Sequence, residues 1–267
     1  MVQAVRVVAE ALDGRVPARV ARRALQAIVG AAEGGSPRAM WLAGVAYEHG
    51  IGTRKDPIAA ARQYGAAADA GYRKAMTALG VCYWEGLGLK RNRRVAVEWY
   101  RRAAARGDGD GHHNLGLCFY HGHVLPRSRR AALRQFQRAA EQGHLASEYK
   151  LAVCYLEGDG ILRSPGKGLR WLKRAAHGGY PDAQAYLGTL HYNGSMVRRS
   201  IRWALHWYRL AARQGDGDAL HNLGLLHLRG EGVAKSIRTA RQFIERAEAA
   251  GVRRHGLSKA ESGLLRR

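Results

Sequence analysis

Apolar residues recur along this chain at intervals of three and four positions, with polar residues between them. Within residues 72–107, one set comprises Ala75, Leu79, Cys82 and Tyr83, and a second comprises Ala96, Tyr100, Ala103 and Ala104. Residues spaced by i, i+4, i+7 and i+8 share one face of an α-helix. The pattern therefore predicts two amphipathic helices in this segment, helix A over residues 75–85 and helix B over residues 93–106.

The helical pattern returns with a fixed period of 36 residues. One series of glycines, where helix A is expected to end, comprises Gly50, Gly86, Gly122, Gly158, Gly194 and Gly230. A second series, at the end of helix B, comprises Gly71, Gly107, Gly143, Gly179, Gly215 and Gly251. A constant period of this length is the signature of a solenoid, in which each unit buries its apolar face only against its neighbours. We therefore expect an all-α solenoid of six helix–turn–helix repeats.

Two further repeated positions predict how the helices begin and how they pack. The residue before helix B has a side-chain oxygen that can cap a backbone N–H, and the six are Asp56, Asn92, Ser128, Ser164, Ser200 and Ser236. Inside helix A a glycine recurs as Gly44, Gly80, Gly116, Gly188 and Gly224, with Ala152 in the fourth repeat. A glycine inside a helix costs about 1 kcal/mol relative to alanine. Its recurrence predicts a close helix crossing at which no side chain fits.

Two segments carry a resemblance to a known family. They read A-x-x-x-L-G-x-x-Y-x-x-G-x-G over residues 75–88 and A-x-x-W-Y-x-x-A-A-x-x-G over residues 96–107. Residues 36–252 resemble the Sel-one-like repeat of the tetratricopeptide superfamily, which implies a right-handed α/α superhelical solenoid with the A helices lining a concave groove. His191 and His227 replace the tyrosine of helix A, and Val124 and Met196 replace the second turn glycine. These departures leave the local turn geometry open.

The period divides the chain into a degenerate N-terminal repeat, six full repeats and a short tail. Residues 1–35 keep Gly14, Ala24, Ala31 and Gly35 in phase, and we expect them to cap the N-terminal end. The full repeats, within residues 36–252, are 36–71, 72–107, 108–143, 144–179, 180–215 and 216–251. Residues 253–267 are expected to form a C-terminal cap or tail.

The composition agrees with a packed, helix-rich protein, because 46% of the 267 residues are hydrophobic and only 6 are proline. No apolar run of about 18 residues is present, and the N-terminus lacks a basic region followed by an apolar core. We therefore expect neither a transmembrane helix nor a signal peptide, and a cytoplasmic location. Cys82, Cys118 and Cys154 share one repeat position that elsewhere holds alanine or leucine, which predicts buried thiols without a disulfide.

The side of helix A opposite the buried face is aromatic and aliphatic rather than polar. Together with the groove that the resemblance implies, this predicts a partner-binding surface. Its residues are Trp41, Trp84, His113, Asn114, Tyr120, Tyr149, Lys150, Tyr186, Tyr192, His221 and Asn222. The alternative is that neighbouring A helices bury much of this side.

Basic residues form a ladder just before each helix-B cap. The six are Lys55, Arg91, Arg127, Arg163, Arg199 and Lys235. The whole chain has 44 Lys and Arg against 21 Asp and Glu, a formal net charge of +23. This basic edge is expected to favour an acidic protein or peptide, with nucleic acid or another polyanion as the alternative partner. A solvated edge in a chain biased toward arginine explains the same residues without any partner.

Catalytic and metal-binding chemistry has little support in the sequence. His112, His113, His121 and His123 lie close to Cys118, but their spacing matches no common zinc pattern. No nucleophile elbow, phosphate loop or H-E-x-x-H segment occurs. We therefore expect no catalytic residue, no metal and no cofactor, and we predict a non-enzymatic scaffold or adaptor that mediates protein–protein interaction.

Overall fold

The structure is a computed structural model that describes residues 2–12, 16–252, 255–256, 261 and 264–265. All regular secondary structure in these residues is α-helical. The chain divides into two compact units, unit 1 over residues 1–144 and unit 2 over residues 145–267. Each unit is a series of helix pairs.

Unit 1 contains the N-terminal segment and the first three helix pairs. Its helices are α1 (Val2–Leu12), α2 (Ala18–Glu33), α3 (Pro37–His49), α4 (Pro57–Asp69), α5 (Arg73–Glu85), α6 (Arg93–Ala105), α7 (Gly109–His121) and α8 (Arg129–Glu141). Each of these helices packs against the next along the chain, and α5 also contacts α7. The odd-numbered helices from α3 onward are the predicted A helices, and the even-numbered ones from α4 onward are the B helices.

Unit 2 contains three more pairs with the same order. Its helices are α9 (Leu145–Glu157), α10 (Pro165–His177), α11 (Pro181–Asn193), α12 (Ile201–Arg213), α13 (Gly217–Arg229) and α14 (Ile237–Ala249). Consecutive helices pack together, and the A helices α11 and α13 also contact each other. The predicted all-α fold of tandem helix pairs is confirmed, and the predicted starts and ends of α5 and α6 agree with the structure within two residues.

In five of the six A–B pairs, the glycine inside helix A contacts one large side chain of helix B. A Cβ atom added to Gly80 would lie 2.6 Å from the ring of Tyr100, and one added to Gly116 would lie 2.6 Å from the ring of Phe136. Tyr100 and Phe136 are themselves buried. The predicted close crossing is confirmed, since the missing side chain makes room for the ring.

The fourth repeat solves the same contact with different residues. Ala152 replaces the glycine of the A helix, and the residue at the position of Tyr100 and Phe136 is the smaller Leu172. An additional glycine, Gly168, lies in helix α10, where a Cβ atom would come within 3.0 Å of the Ala152 carbonyl oxygen. The added methyl group in helix A is therefore matched by a smaller partner in helix B.

The turn between the A and B helices is held by backbone hydrogen bonds and by the predicted caps. Five of the six cap side chains accept a hydrogen bond from the first turn of helix B; they are Asp56, Asn92, Ser128, Ser200 and Ser236. Ser164 makes no such side-chain bond, and nothing in the structure explains this exception. In every repeat the cap residue also donates its backbone N–H to a carbonyl of helix A, for example Asn92 to Tyr83 at 2.8 Å.

The four departures from the repeat motif leave this turn intact. The carbonyls of His191 and His227 still accept the backbone bonds from Ser200 and Ser236, because those bonds do not involve the replaced side chain. Val124 and Met196 adopt the left-handed conformation of the glycines that they replace, with φ of 65° and 62°. The geometry is therefore kept at the cost of backbone strain, since L-residues are disfavoured in that region.

Relieving this strain should stabilise the protein. We expect Val124→Gly and Met196→Gly each to raise the free energy of unfolding by about 1 kcal/mol, the usual cost of a left-handed non-glycine residue less the entropy that glycine adds to the unfolded chain. Both side chains are more than two-fifths exposed, so little packing is lost. Chemical denaturation measures the change. Leu162→Gly is the control: it is exposed and lies outside the left-handed region, so it should be destabilising, and a stabilising effect there would contradict the explanation.

The ends of the chain and the cysteines complete the fold. Helix α2 packs Ala24 and Ile28 against Leu42 of helix α3, so the N-terminal segment extends the first helix pair. Gly14 lies outside the described residues, as does most of the predicted tail 253–267. The thiols at 82, 118 and 154 are buried, as their repeat position predicts, and none of the three forms a disulfide. Burial raises the pKa of the Cys82 and Cys118 thiols to about 11.

Candidate functional site

The side of helix A that was predicted to be accessible is only partly so. Neighbouring segments bury several of its positions. Thr77 and Ala185 stand at the repeat position of Trp41, and Leu228 stands at that of Trp84. All three are buried, and Thr77 donates a hydrogen bond to Asp108 at 2.7 Å. The aromatic residues of this side keep part of their surface accessible. Trp41, Trp84, His113, Tyr120, Tyr149, Tyr186 and Tyr192 are all half-buried. Packing therefore buries part of the predicted surface, and two clefts lie beside the aromatic residues that stay partly exposed.

The unit 1 cleft lies between the A helices α5 and α7. It has a volume of about 400 Å³ and is lined by Val81, Trp84, Glu85, Tyr100, Asn114, Leu117, Cys118, His121 and His123. Trp84 and Asn114 are two of the predicted groove residues, and Val81 and Leu117 form the apolar floor between them. The cleft thus brings an aromatic side chain and an amide to one apolar hollow.

Cations of the same unit already cover its aromatic side chains. The Lys74 ammonium lies 5.5 Å from the centre of the Trp41 ring. The Arg93 guanidinium lies 4.8 Å from the Trp84 ring, and that of Arg129 lies 3.5 Å from the ring of Tyr120. Cations within about 6 Å of an aromatic ring are attracted by its negative face. In unit 1 this attraction is satisfied within the protein.

The unit 2 cleft lies between the A helices α9, α11 and the start of α13. It has a volume of about 490 Å³ and is lined by Tyr149, Val153, Glu157, Asp182, Ala185, Tyr186, Thr189, Asp216, Gly217, Asp218 and Val252. Tyr149 and Tyr186 are predicted groove residues whose ring centres lie 6.5 Å apart. Four of the other lining residues are acidic, which the sequence analysis did not anticipate.

These carboxylates act on one another and on the tyrosines. The pKa of Asp216 is raised by burial and by the nearby negative charges of Asp182 and Asp218. Burial followed by the charge of Asp182 raises the pKa of Tyr149, and burial followed by the charge of Glu157 raises that of Tyr186. The cleft is therefore a region of negative potential in a strongly basic chain.

The remaining predicted groove residues lie outside the two clefts. His113 packs against His144 with ring centres 4.4 Å apart, and the Tyr192 hydroxyl donates to Glu231 at 2.9 Å. Lys150 and Asn222 are half-buried and line neither cleft. His221 is 1% exposed, because the His255 ring stacks on it and the His255 carbonyl accepts from its Nε2 atom at 2.9 Å. In this structure His221 thus offers almost no surface to a partner.

The basic edge is exposed in both units and has a local structural role. All six of its residues are exposed. The Arg163 Nε atom donates to the Leu156 carbonyl at 2.8 Å, and that of Arg199 donates to the Tyr192 carbonyl at 3.2 Å. These carbonyls belong to the last turn of an A helix, where cations satisfy orphan acceptors and complement the helix dipole. Capping accounts for part of the recurrence of the cations and leaves their charge facing solvent.

The histidines near Cys118 make different contacts. His121 and His123 stack at 5.4 Å and border the unit 1 cleft, whereas His112 is buried and bonds Gln135 through Nδ1 at 2.7 Å. Within the described residues, no three histidine, cysteine or carboxylate side chains converge as metal ligands.

A signal for the acidic cleft was present in the sequence. One repeat position lies in the first turn of each A helix, two residues after the residue that precedes the helix. Along the chain it is occupied by Arg38, Lys74, Asp110, Ala146, Asp182 and Asp218. It changes from basic to acidic along the chain, so aligning the charged residues by repeat would have indicated where the negative charge accumulates.

Comparisons with known proteins agree on one architecture. The Sel1 repeat profile matches residues 37–72, 73–108, 109–144, 145–180, 181–216 and 217–252. A Sel1 repeat protein from Oxalobacter formigenes is 30% identical with a TM-score of 0.75, and the match covers 80% of this chain and 88% of that one. The protective antigen c5321 of uropathogenic Escherichia coli, which displays an SLR fold, is 29% identical with a TM-score of 0.69. That match covers 85% of this chain but only 49% of the antigen.

A more distant structure shares the fold. The immunity protein Pa5087 from Pseudomonas aeruginosa is 19% identical with a TM-score of 0.54 over 80% of each chain. A comparison with curated proteins gives no significant match. Among the described helices, none has both the length and the apolar character that crossing a bilayer requires. Sel1 repeat proteins generally mediate protein–protein interaction, and their scaffold is generally non-enzymatic. With six tandem matches over most of its length, the chain belongs to the Sel1 repeat family.

Proposed function

We propose that this protein is a non-enzymatic scaffold that binds a segment of a partner protein along the A-helix side of its repeats. The observation that carries the proposal is the presence, on that side of each unit, of a cleft with aromatic and aliphatic walls, of about 400 and 490 Å³. Aromatic residues beside a few polar groups are the usual composition of the central part of a protein interface. They supply most of the binding energy as a small number of anchors.

The basic edge has a different part in this proposal. Its exposed cations lie in the loops between the A and B helices, away from the apolar walls of the clefts. Exposed charge contributes more to the rate of encounter and to partner selection than to affinity. The edge therefore favours proteins with an acidic surface, while the clefts supply the contacts that hold a segment in place.

Substitutions at Trp84, which lines the unit 1 cleft, and at Tyr120, a predicted groove residue on the next A helix, test the proposal. We expect Trp84→Ala combined with Tyr120→Ala to lower partner capture at least about tenfold, because truncating an aromatic anchor typically costs about 2 kcal/mol or more. Capture by immobilised protein from a native lysate, followed by quantitative mass spectrometry, measures the change. Trp203→Ala is the matched control, since Trp203 is 52% exposed on helix α12 and lines neither cleft.

A second variant guards against loss of folding. Asn114→Lys fills the unit 1 cleft without removing any buried apolar group, and circular dichroism checks that both groove variants keep their helices. Capture that stays unchanged in both folded variants, or that falls equally in Trp203→Ala, would contradict binding in the clefts.

A further inference from the structure

The unit 2 cleft combines two features that point to the same ligand chemistry. Its walls carry the rings of Tyr149 and Tyr186, and four carboxylates surround them: Glu157, Asp182, Asp216 and Asp218. The chain as a whole has a formal net charge of +23, so the excess of negative groups here is opposite to the composition of the protein. Aromatic faces and carboxylates both attract cations.

The described part of the chain places no paired cation in this cleft. Among the described residues, no lysine or arginine forms an ion pair with any of the four carboxylates. Their mutual repulsion is visible at Asp216, whose pKa is raised by burial and by the charges of Asp182 and Asp218. Negative groups that are held close together stabilise a positively charged ligand that enters between them.

One repeat position beside an aromatic side chain has a positive charge at Lys74 of unit 1 and a negative charge at Asp182 of unit 2. Tyr149 stands at the repeat position of Trp41, and Asp182 stands at the repeat position of Lys74. In unit 1 the Lys74 ammonium lies 5.5 Å from the centre of the Trp41 ring and provides the cation itself. In unit 2 the residue at that position is an acid, and no lysine or arginine of the described residues lies over the Tyr149 ring.

Helix stability accounts for only part of the acidic cluster. Asp216 caps helix α13 by accepting the Ala219 N–H at 2.7 Å, and Asp182 and Asp218 lie in first turns, where acids complement the helix dipole. Glu157 has the opposite placement. It is the last residue of helix α9, where the dipole disfavours a negative charge. The helix dipole therefore does not account for the position of Glu157 in the cleft.

We propose that the unit 2 cleft binds the cationic side chain of a basic partner segment, with arginine as the preferred residue. The inference rests on the proposed scaffold function and adds the chemistry that one cleft recognises. A guanidinium stacks on tyrosine rings and offers paired N–H donors to carboxylates, so both kinds of wall contribute. An organic cation fits better than a metal ion, because no three of these side chains converge as metal ligands in the described residues. The expected partner protein therefore combines an acidic surface, which the basic edge favours, with a local basic segment, which the unit 2 cleft binds.

A short peptide of defined charge tests the proposal. We expect acetyl-Arg-Arg-Arg-amide to bind the full chain in isothermal titration calorimetry, and acetyl-Glu-Glu-Glu-amide not to compete with it. Long-range electrostatic repulsion opposes binding of the arginine peptide, because the protein is itself strongly basic. Binding of this peptide therefore reports a local site.

Substitution of Asp182 provides the specific test. Asp182→Lys places in unit 2 the cation that Lys74 provides in unit 1, an arrangement that the repeat already accommodates. We expect it to reduce affinity for the arginine peptide at least about tenfold, since it removes one attractive charge and adds a repulsive one. Asp69→Lys is the matched control, with the same change of charge at an exposed position of helix α4. The isosteric pair Glu157→Gln and Asp218→Asn should also weaken binding about tenfold while keeping the side-chain shapes.

Three results would overturn the proposal: no binding of the arginine peptide to the wild-type chain, displacement of the arginine peptide by the glutamate peptide, or equal losses in Asp182→Lys and Asp69→Lys. Failure here is distinct from failure of the scaffold function. If the arginine peptide does not bind but Trp84→Ala with Tyr120→Ala still abolishes partner capture, only the cation site is wrong. If the peptide binds as expected but Trp84→Ala with Tyr120→Ala leaves partner capture unchanged, only the proposed function is wrong.

Discussion

Gly116→Ala is expected to destabilise the protein by about 2 kcal/mol, although alanine is the better helix former by about 1 kcal/mol. The reason is the close contact between this glycine of helix A and a ring of helix B. A Cβ atom at this position would lie 2.6 Å from the ring of Phe136, which is completely buried and has no room to move. Urea denaturation followed by circular dichroism measures the loss.

The fourth repeat supplies the compensating change. Because Ala152 there faces Leu172, we expect Phe136→Leu to relieve the clash created by Gly116→Ala. The double variant should be more stable than the sum of the two single effects predicts, by about 1 kcal/mol or more. Gly65→Ala is the control, since Gly65 lies in helix α4 with nothing within 4 Å of an added Cβ atom, and it should be stabilising. Simple additivity of the two changes would contradict the proposed contact.

The second large effect is expected in the turn after helix α5. Gly88→Ala should destabilise the protein by about 3 kcal/mol, because the residue has a φ of 69° and its Cβ atom would clash with the backbone carbonyl of Pro57. The obstructing atoms belong to the main chain and cannot rotate away. Thermal and urea unfolding measure the change.

A second glycine separates the two causes of this loss. Gly71 also has a positive φ, of 86°, but an added Cβ atom there meets nothing within 4 Å. Gly71→Ala should therefore show only the cost of backbone strain, about 1–2 kcal/mol. Equal losses at both positions would mean that the clash with Pro57 contributes nothing.

The fold was predictable because its determinants are local and repeated six times. The cap residue, the glycine inside helix A and the buried cysteine position each recur at one spacing, so a single repeat identifies their role in all the others. Even the substitution of Ala152 could be recognised as a departure. Its compensation by Leu172 and Gly168 required the structure, since it depends on which side chains meet across the helix pair.

The binding surface was predictable only as a side of helix A and not residue by residue. His221 was a reasonable choice by periodicity, but its burial depends on His255, which lies more than thirty residues away along the chain and outside the repeat pattern. The acidic walls of the unit 2 cleft were missed for a different reason. A net charge describes the whole chain, whereas a cleft has the charge of the few side chains that line it.

The three buried thiols are natural probes for the local opening of individual repeats. Cys82, Cys118 and Cys154 occupy one equivalent position in three successive repeats, and each is at most 4% exposed. Only the thiolate reacts with thiol reagents, so chemical labelling must wait until a repeat opens. Because each repeat of such an array contacts mainly its neighbours, each thiol reports the opening of its own repeat. Three labelling rates measured on one unmodified sample would therefore map where the array loosens first.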